Sequence, residues 1–209
     1  MPTVRLPMRA TVRESHEILR CCADIERNEG KLTLDAGPCE RFDPLGATLI
    51  ALAVARLEHA GHGPVELVPP SDEGVARFLR EIAFPLYVTG TSEERRAAPR
   101  HGTLEMRQLE RLDPVYLKDV ADLLAGRVPG TSEEVSHLIQ LCLNELLQNV
   151  MDHAESALGC LVHTRWHRQE QNVRLAVVDG GMGIFEAICR QRGIRFPPPA
   201  TTGCARLWA

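Results

Sequence analysis

The sequence predicts an α/β fold, mixed (α+β) in layout, and three observations carry that expectation. From Thr3 to Ala83, short β-type runs alternate with amphipathic helical stretches, the order that lays helices on a sheet. Further on, a long uninterrupted helical stretch precedes two β-type runs joined by the polar turn Gln169-Glu-Gln-Asn172, which reads as an antiparallel pair. Aromatic residues are only 4% of the chain, so Leu, Val, Ile and Ala must fill the space between the layers.

The first half can be taken in order. Thr3 to Leu6 suits a short strand, and Thr11 to Arg27 a helix with Ile18, Leu19, Cys22 and Ile25 on its apolar face, closed near Gly30. Lys31 to Asp35 alternates polar and apolar residues as a half-buried strand does. Asp43 is placed to cap the next helix, with Pro44 at its first position, where a missing N–H costs nothing. That helix runs to about Ala60 and is rich in Ala and Leu. Val65 to Val68 is a strand halted by Pro69-Pro70. Ser71 or Asp72 caps a helix reaching about Ala83, with Val75, Phe78, Leu79 and Ile82 at helical spacing.

Pro85 to Gly102 is polar, with glycine, proline and clustered charge toward its end, and reads as a linker centred on 89–102. The expected organisation is one domain over 1–88 and a second over 103–209. In the second, Asp113-Pro114 starts a helix over Tyr116 to Leu124. Ser132-Glu-Glu starts the long helix, Leu158 to His167 and Val173 to Val178 are the paired strands, and Glu186 to Gln191 continues as a short helix.

Composition excludes several classes. A chain of 209 residues with 44% hydrophobic content can build a sizeable core. A net charge of -4 gives no reason to expect nucleic-acid binding. The longest apolar run, Ala47 to Ala55, is too short to span a bilayer, and Met1 to Ala10 holds no signal core, so a cytoplasmic protein without a membrane partner is expected. Seven scattered cysteines without a Cys-x-x-Cys pair read as reduced thiols. His163 and His167 are four apart, but in a strand that separates them by ~13 Å, and no Cys or carboxylate completes a metal set.

The residues with the most chemical content lie in Leu143-Asn-Glu145-Leu-Leu-Gln-Asn149-Val-Met-Asp-His153 and Val177-Val-Asp179-Gly-Gly181-Met-Gly183. On a helix, Glu145, Asn149 and His153 recur every four residues and share a face. Asp179 ends an apolar strand, and Gly181 and Gly183 allow a backbone to come close to a ligand or to turn sharply.

Glu-x-x-x-Asn-x-x-x-His followed by a strand ending in Asp-x-Gly-x-Gly resembles the histidine-kinase-like ATPases, the GHKL superfamily, in its anti-sigma-factor kinase branch. The resemblance implies ATP and Mg²⁺ as cofactors. It implies that Glu145 polarises the attacking nucleophile, that Asn149 coordinates Mg²⁺, and that Asp179 accepts a hydrogen bond from the adenine amino group. Gly181 and Gly183 would shape the adenine pocket. The stretch from Lys31 to Phe84, through Arg41-Phe-Asp43-Pro44-Leu-Gly46-Ala-Thr48, resembles the STAS domain of anti-sigma-factor antagonists. Pro44 stands where that family's phosphorylated serine is expected, and Thr48 is one turn further on. The two resemblances together imply a STAS-like layer followed by a partial GHKL α/β sandwich. The implied function is bacterial partner-switching, with a sigma-factor or antagonist-type regulator as partner and homodimerisation as an option. The GHKL resemblance ends before Arg195-Phe-Pro197-Pro198-Pro199, with no second Gly-x-Gly box to cradle phosphates. A shortened reading frame is the expectation this raises. Weakened nucleotide binding follows from it, and the alternative is a non-enzymatic interaction protein with a vestigial ATPase half.

Overall fold

The computed structural model describes residues 1–91, 102–127 and 132–193, and it is an α/β structure built on two three-stranded sheets and a two-residue strand pair. The linker expected at 89–102 falls largely outside the described residues, as does everything after Gly193.

The first sheet is parallel, in the order β1 (Thr3–Arg5), β3 (Leu32–Asp35), β5 (Val65–Val68). Helix α1 (Ser15–Glu26) makes the first crossover and α2 (Pro44–His59) the second. Leu32 and Leu34 are wholly buried while Thr33 and Asp35 are partly exposed, so the alternation seen in the sequence puts one face of this sheet on the helices. A two-residue parallel pair, β2 (Arg9–Ala10) with β4 (Arg41–Phe42), leads into α2. Asp43 caps α2 by accepting from the Gly46 N–H at 3.1 Å, and Asp72, rather than Ser71, caps α3 (Glu73–Glu81) through the Val75 N–H at 2.8 Å.

Two boundaries differ from expectation. Val12–Glu14 is a 3₁₀ turn before α1, so the helix starts later than the periodicity suggested. The chain from Pro85 is not yet linker. Phe84–Thr89 forms a short helix, α4, with Phe84 and Val88 buried, and Gly90 in the left-handed region ends it. Two apolar anchors outweighed the breaker signal of Pro85, which sits in the first turn where proline is tolerated.

The second sheet is antiparallel, in the order β6 (Arg107–Leu109), β7 (Cys160–His167), β8 (Asn172–Asp179). Helices α5 (Pro114–Ala125) and α6 (Glu133–His153) pack together on one face of it. Asp113 caps α5 and Ser132 caps α6. Helix α6 ends at His153, a turn short of the stretch from Ser132 to Ala157 that no glycine or proline interrupts. Helix α7 (Ile184–Gln191) follows the glycine-rich turn.

Register explains how the two sheets come together. Cys160, Val162 and Val177 face α5 and α6, where Leu143, Leu147, Tyr116 and Leu117 are buried. The alternate residues, Leu161 and Val178, are cross-strand partners and join the cluster that holds Ile50, Val54 and Leu57 of α2. Helix α2 therefore packs against β7 and β8 as well as against α1. It is buried nearly all round, which is why its sequence shows little polar alternation. Residues on both sides of the 89–102 stretch thus share one hydrophobic cluster.

His163 lies at this junction. It is fully buried beside Phe78, with ring centroids 6.0 Å apart. Neither ring nitrogen makes a hydrogen bond. Burial, reinforced by the Arg165 charge, pushes its pKa down to about 3, and the nearby Leu104 backbone opposes this only weakly. The folded state therefore holds His163 neutral, while the unfolded chain protonates it near 6.5. Stability is full above pH 6.5 and falls as pH drops from there toward 3. The expected loss from this group is about 2 kcal/mol between pH 7.5 and 5. Urea melts at the two pH values check this: His163→Leu should lose much less over the same interval, and an unchanged slope would contradict the assignment.

Cys21, Cys22, Cys39 and Cys160 are buried with thiol pKa values raised by desolvation, that of Cys39 to about 11, whereas Cys142 is exposed. The described cysteines are all free thiols. Among the described residues no helix is long and apolar enough to cross a membrane.

Candidate functional site

The Asp179-Gly-Gly turn and the helix carrying Glu145 and Asn149 meet at one point. Met182 N–H donates to the Ala154 carbonyl at the end of α6, at 2.5 Å. A Cβ on Gly181 would stand 1.9 Å from that same carbonyl oxygen and 2.6 Å from its carbon. Only glycine fits there, because the obstruction is backbone rather than a movable side chain. Gly181 is needed for close approach; its φ is not in the left-handed region. Gly183 is different. It precedes α7 with φ -68 and ψ 152, and a Cβ there would meet open space.

Asp179 is partly exposed at the end of β8. Its Oδ1 accepts from the Gly181 N–H at 3.0 Å, which fixes the carboxylate against the turn. Oδ2 makes no hydrogen bond among the described residues. The Asp179 charge is felt across the ladder by Cys160, whose thiol is raised to about 11 mainly by burial and then by that carboxylate. A carboxylate held by one oxygen, with the other open, is suited to accept an N–H from a planar ligand.

Glu145 and Asn149 lie elsewhere on α6. Both are exposed, as is His153. Leu143, Leu147 and Ala154 define the buried side of the helix. At 100° per residue, Asn149 is turned about 140° from Ala154, and it lies about 7.5 Å from it along the axis. The structure thus joins the two motifs through their backbones, while Glu145 and Asn149 face away from the sheet. Neither side chain is engaged in a hydrogen bond or ion pair among the described residues, so the Asn149 amide oxygen is available to a hard cation. Around them, Val135, Leu138, Leu141 and Leu146 are 40%, 56%, 49% and 44% exposed. A helix that shows this much apolar surface has an unfilled face.

Of the features an adenine-binding site needs, the described residues show an open carboxylate oxygen at Asp179; the close approach at Gly181 is taken up by the Ala154 carbonyl. They fit Mg²⁺ less fully, since Asn149 is a single oxygen donor and no group of three or more His, Cys, Asp or Glu is placed to hold a metal among the described residues. Thr48, the hydroxyl nearest the position of a STAS phosphoserine, is fully buried and donates to the Pro44 carbonyl at 2.8 Å, so it is closed to a kinase. Sequence reasoning missed Asp43 and Arg174 as a linking pair, 3.2 Å apart and from opposite ends of the chain, because nothing local marks it.

Comparison of the chain with protein-family models, with curated proteins and with solved structures gives no match.

Proposed function

We propose that the protein is a regulatory protein that binds adenine nucleotide weakly, with Asp179, Gly181 and Gly183 forming the adenine end of the site. Asn149 would hold Mg²⁺ on the phosphates, and Glu145 would orient the attacking group if transfer occurs. One observation carries this reading: Gly181 is wedged against the Ala154 carbonyl, so the Asp179 turn and the Glu145–Asn149 helix are one structural unit. The GHKL resemblance supplies the ligand. Bound nucleotide would bring the γ-phosphate that such chemistry transfers. The chain's own part would be to anchor a base at Asp179 and present an amide and a carboxylate on α6.

A second reading is favoured by the apolar face of α6. Leu138, Leu141 and Leu146 flank Glu145, and a protein of the partner-switching kind, or a second copy of the chain, could cover them. In that case the protein acts by interaction and not by turnover.

Titration calorimetry with ADP and with ATP plus Mg²⁺ tests the first reading. The wild type should bind with Kd of about 0.1–1 mM. Asp179→Asn should weaken both nucleotides about tenfold, and Asn149→Ala should weaken Mg-ATP more than ADP. Binding that survives Asp179→Asn undiminished would sink the assignment. Phosphate release that depends on Glu145 would add catalysis to it.

A further inference from the structure

A cleft of about 1170 Å³ opens between α3 and β4 on one side and the turn end of the β7–β8 hairpin on the other. It lies at the opposite end of β7 from Cys160, the cross-strand partner of Asp179, and that strand spans ~24 Å. It is therefore separate from the site above.

Its floor ties β4 and α3 to the β7–β8 hairpin. Arg165 donates to the Phe42 carbonyl at 3.3 Å and its guanidinium lies 3.9 Å from the Phe78 ring centroid. Arg41 pairs with Glu170 at 3.4 Å, and Arg174 joins Glu170 to Asp43.

Several of the charged groups in the walls pair with one another. Five arginines and four carboxylates line the cleft. Three of those carboxylates are engaged: Glu170 by Arg41 and Arg174, Glu81 by Arg77 at 4.0 Å, and Asp72 by the cap of α3. Arg168 is exposed and has no carboxylate partner among the described residues. Arg127 forms no ion pair among them either; it lies over the ring of Trp166, 5.9 Å from its centroid. Trp166 is only partly buried and presents a flat apolar surface beside these cations. His167 also lines the cleft, and its Nε2 is shielded from solvent yet has no hydrogen-bond partner.

We infer that this cleft binds a nucleoside phosphate, its base against Trp166 and its phosphate held by Arg127 and Arg168. Arginine forks match phosphate oxygens, and a tryptophan face takes any base. Small-ligand clefts commonly run ~300–1,000 Å³, so this one suits a ligand larger than a lone anion.

Tryptophan emission gives a direct test. Trp166 and Trp208 are the two tryptophans, so Trp208→Phe leaves Trp166 as the reporter. Titration with ADP and with GDP should quench it saturably. Adenosine alone and pyrophosphate alone should each bind about tenfold more weakly, because each keeps one half of the recognition. Arg168→Glu and Arg127→Gln should each weaken the quench about tenfold or more, with melting curves confirming that the variants fold. Asp179→Asn should leave it unchanged, which separates this cleft from the proposed adenine site. The inference is overturned if neither nucleotide quenches up to about 1 mM. It is also overturned if pyrophosphate binds as well as ADP, or if Asp179→Asn removes the signal while Arg168→Glu does not.

Discussion

Asp43→Ala is expected to destabilise the protein by about 3 kcal/mol, because three connections end on that one buried carboxylate. Asp43 is 2% exposed. Its Oδ1 accepts from Gly46 N–H at the start of α2, and its Oδ2 accepts from Val12 N–H at 2.8 Å and from Arg174 at 3.2 Å. Loss of the helix cap alone costs about 1 kcal/mol. The buried Gly46 N–H would also be left unpaired away from water, and the Val12 N–H would lose its partner. Arg174 would suffer less, since it is partly exposed and keeps Glu170. Asp43→Asn should fall between, retaining a cap and losing the ion pair. Urea denaturation at pH 7 measures both. A change within ~0.5 kcal/mol for Asp43→Ala would show that the side chain does not link the layers.

The second large effect is expected at Gly181. An alanine there would put Cβ 1.9 Å from the Ala154 oxygen, so either the turn or the end of α6 must shift. Gly181→Ala should cost about 2–4 kcal/mol and remove the part of the calorimetric signal for ADP that Asp179→Asn weakens, since the shift moves Asp179. Gly183→Ala, whose Cβ meets nothing within 4 Å, should change stability by less than ~0.5 kcal/mol. Thermal melts with the ADP titration check the pair. Equal behaviour of the two variants would mean that the turn does not depend on close backbone approach.

The contrast between those glycines shows how far the sequence could be read. Asp-x-Gly-x-Gly marks a turn after a strand and gives no reason to rank one glycine above the other. The ranking comes from α6, whose terminal carbonyl fills the space beside Gly181. The helix face is similar. Four-residue spacing puts Glu145, Asn149 and His153 together, and they are together, all exposed. Which way that face points depends on Leu143 and Leu147 docking on β7 and β8. Local spacing carries no information about that docking.

Element existence followed from local physics. Asp43-Pro44, Asp113-Pro114 and Ser132-Glu-Glu started helices as their capping chemistry requires. Alternation in Lys31 to Asp35 and the polar turn between β7 and β8 produced the strands and their antiparallel pairing. Helix α4 went unread because burial of Phe84 and Val88 depends on neighbours distant in sequence. The sequence by itself therefore determined the α/β class, the caps, the hairpin and the candidate residues, since each depends on groups a few positions apart. Only the tertiary structure decided that α2 packs on β7 and β8 as well as on α1, that Asp43 holds Arg174 and that His163 is buried without a hydrogen bond. The arginine-lined cleft is decided there as well. Each of these joins residues from separate stretches of chain, and it is the burial of apolar faces, not local propensity, that brings them together.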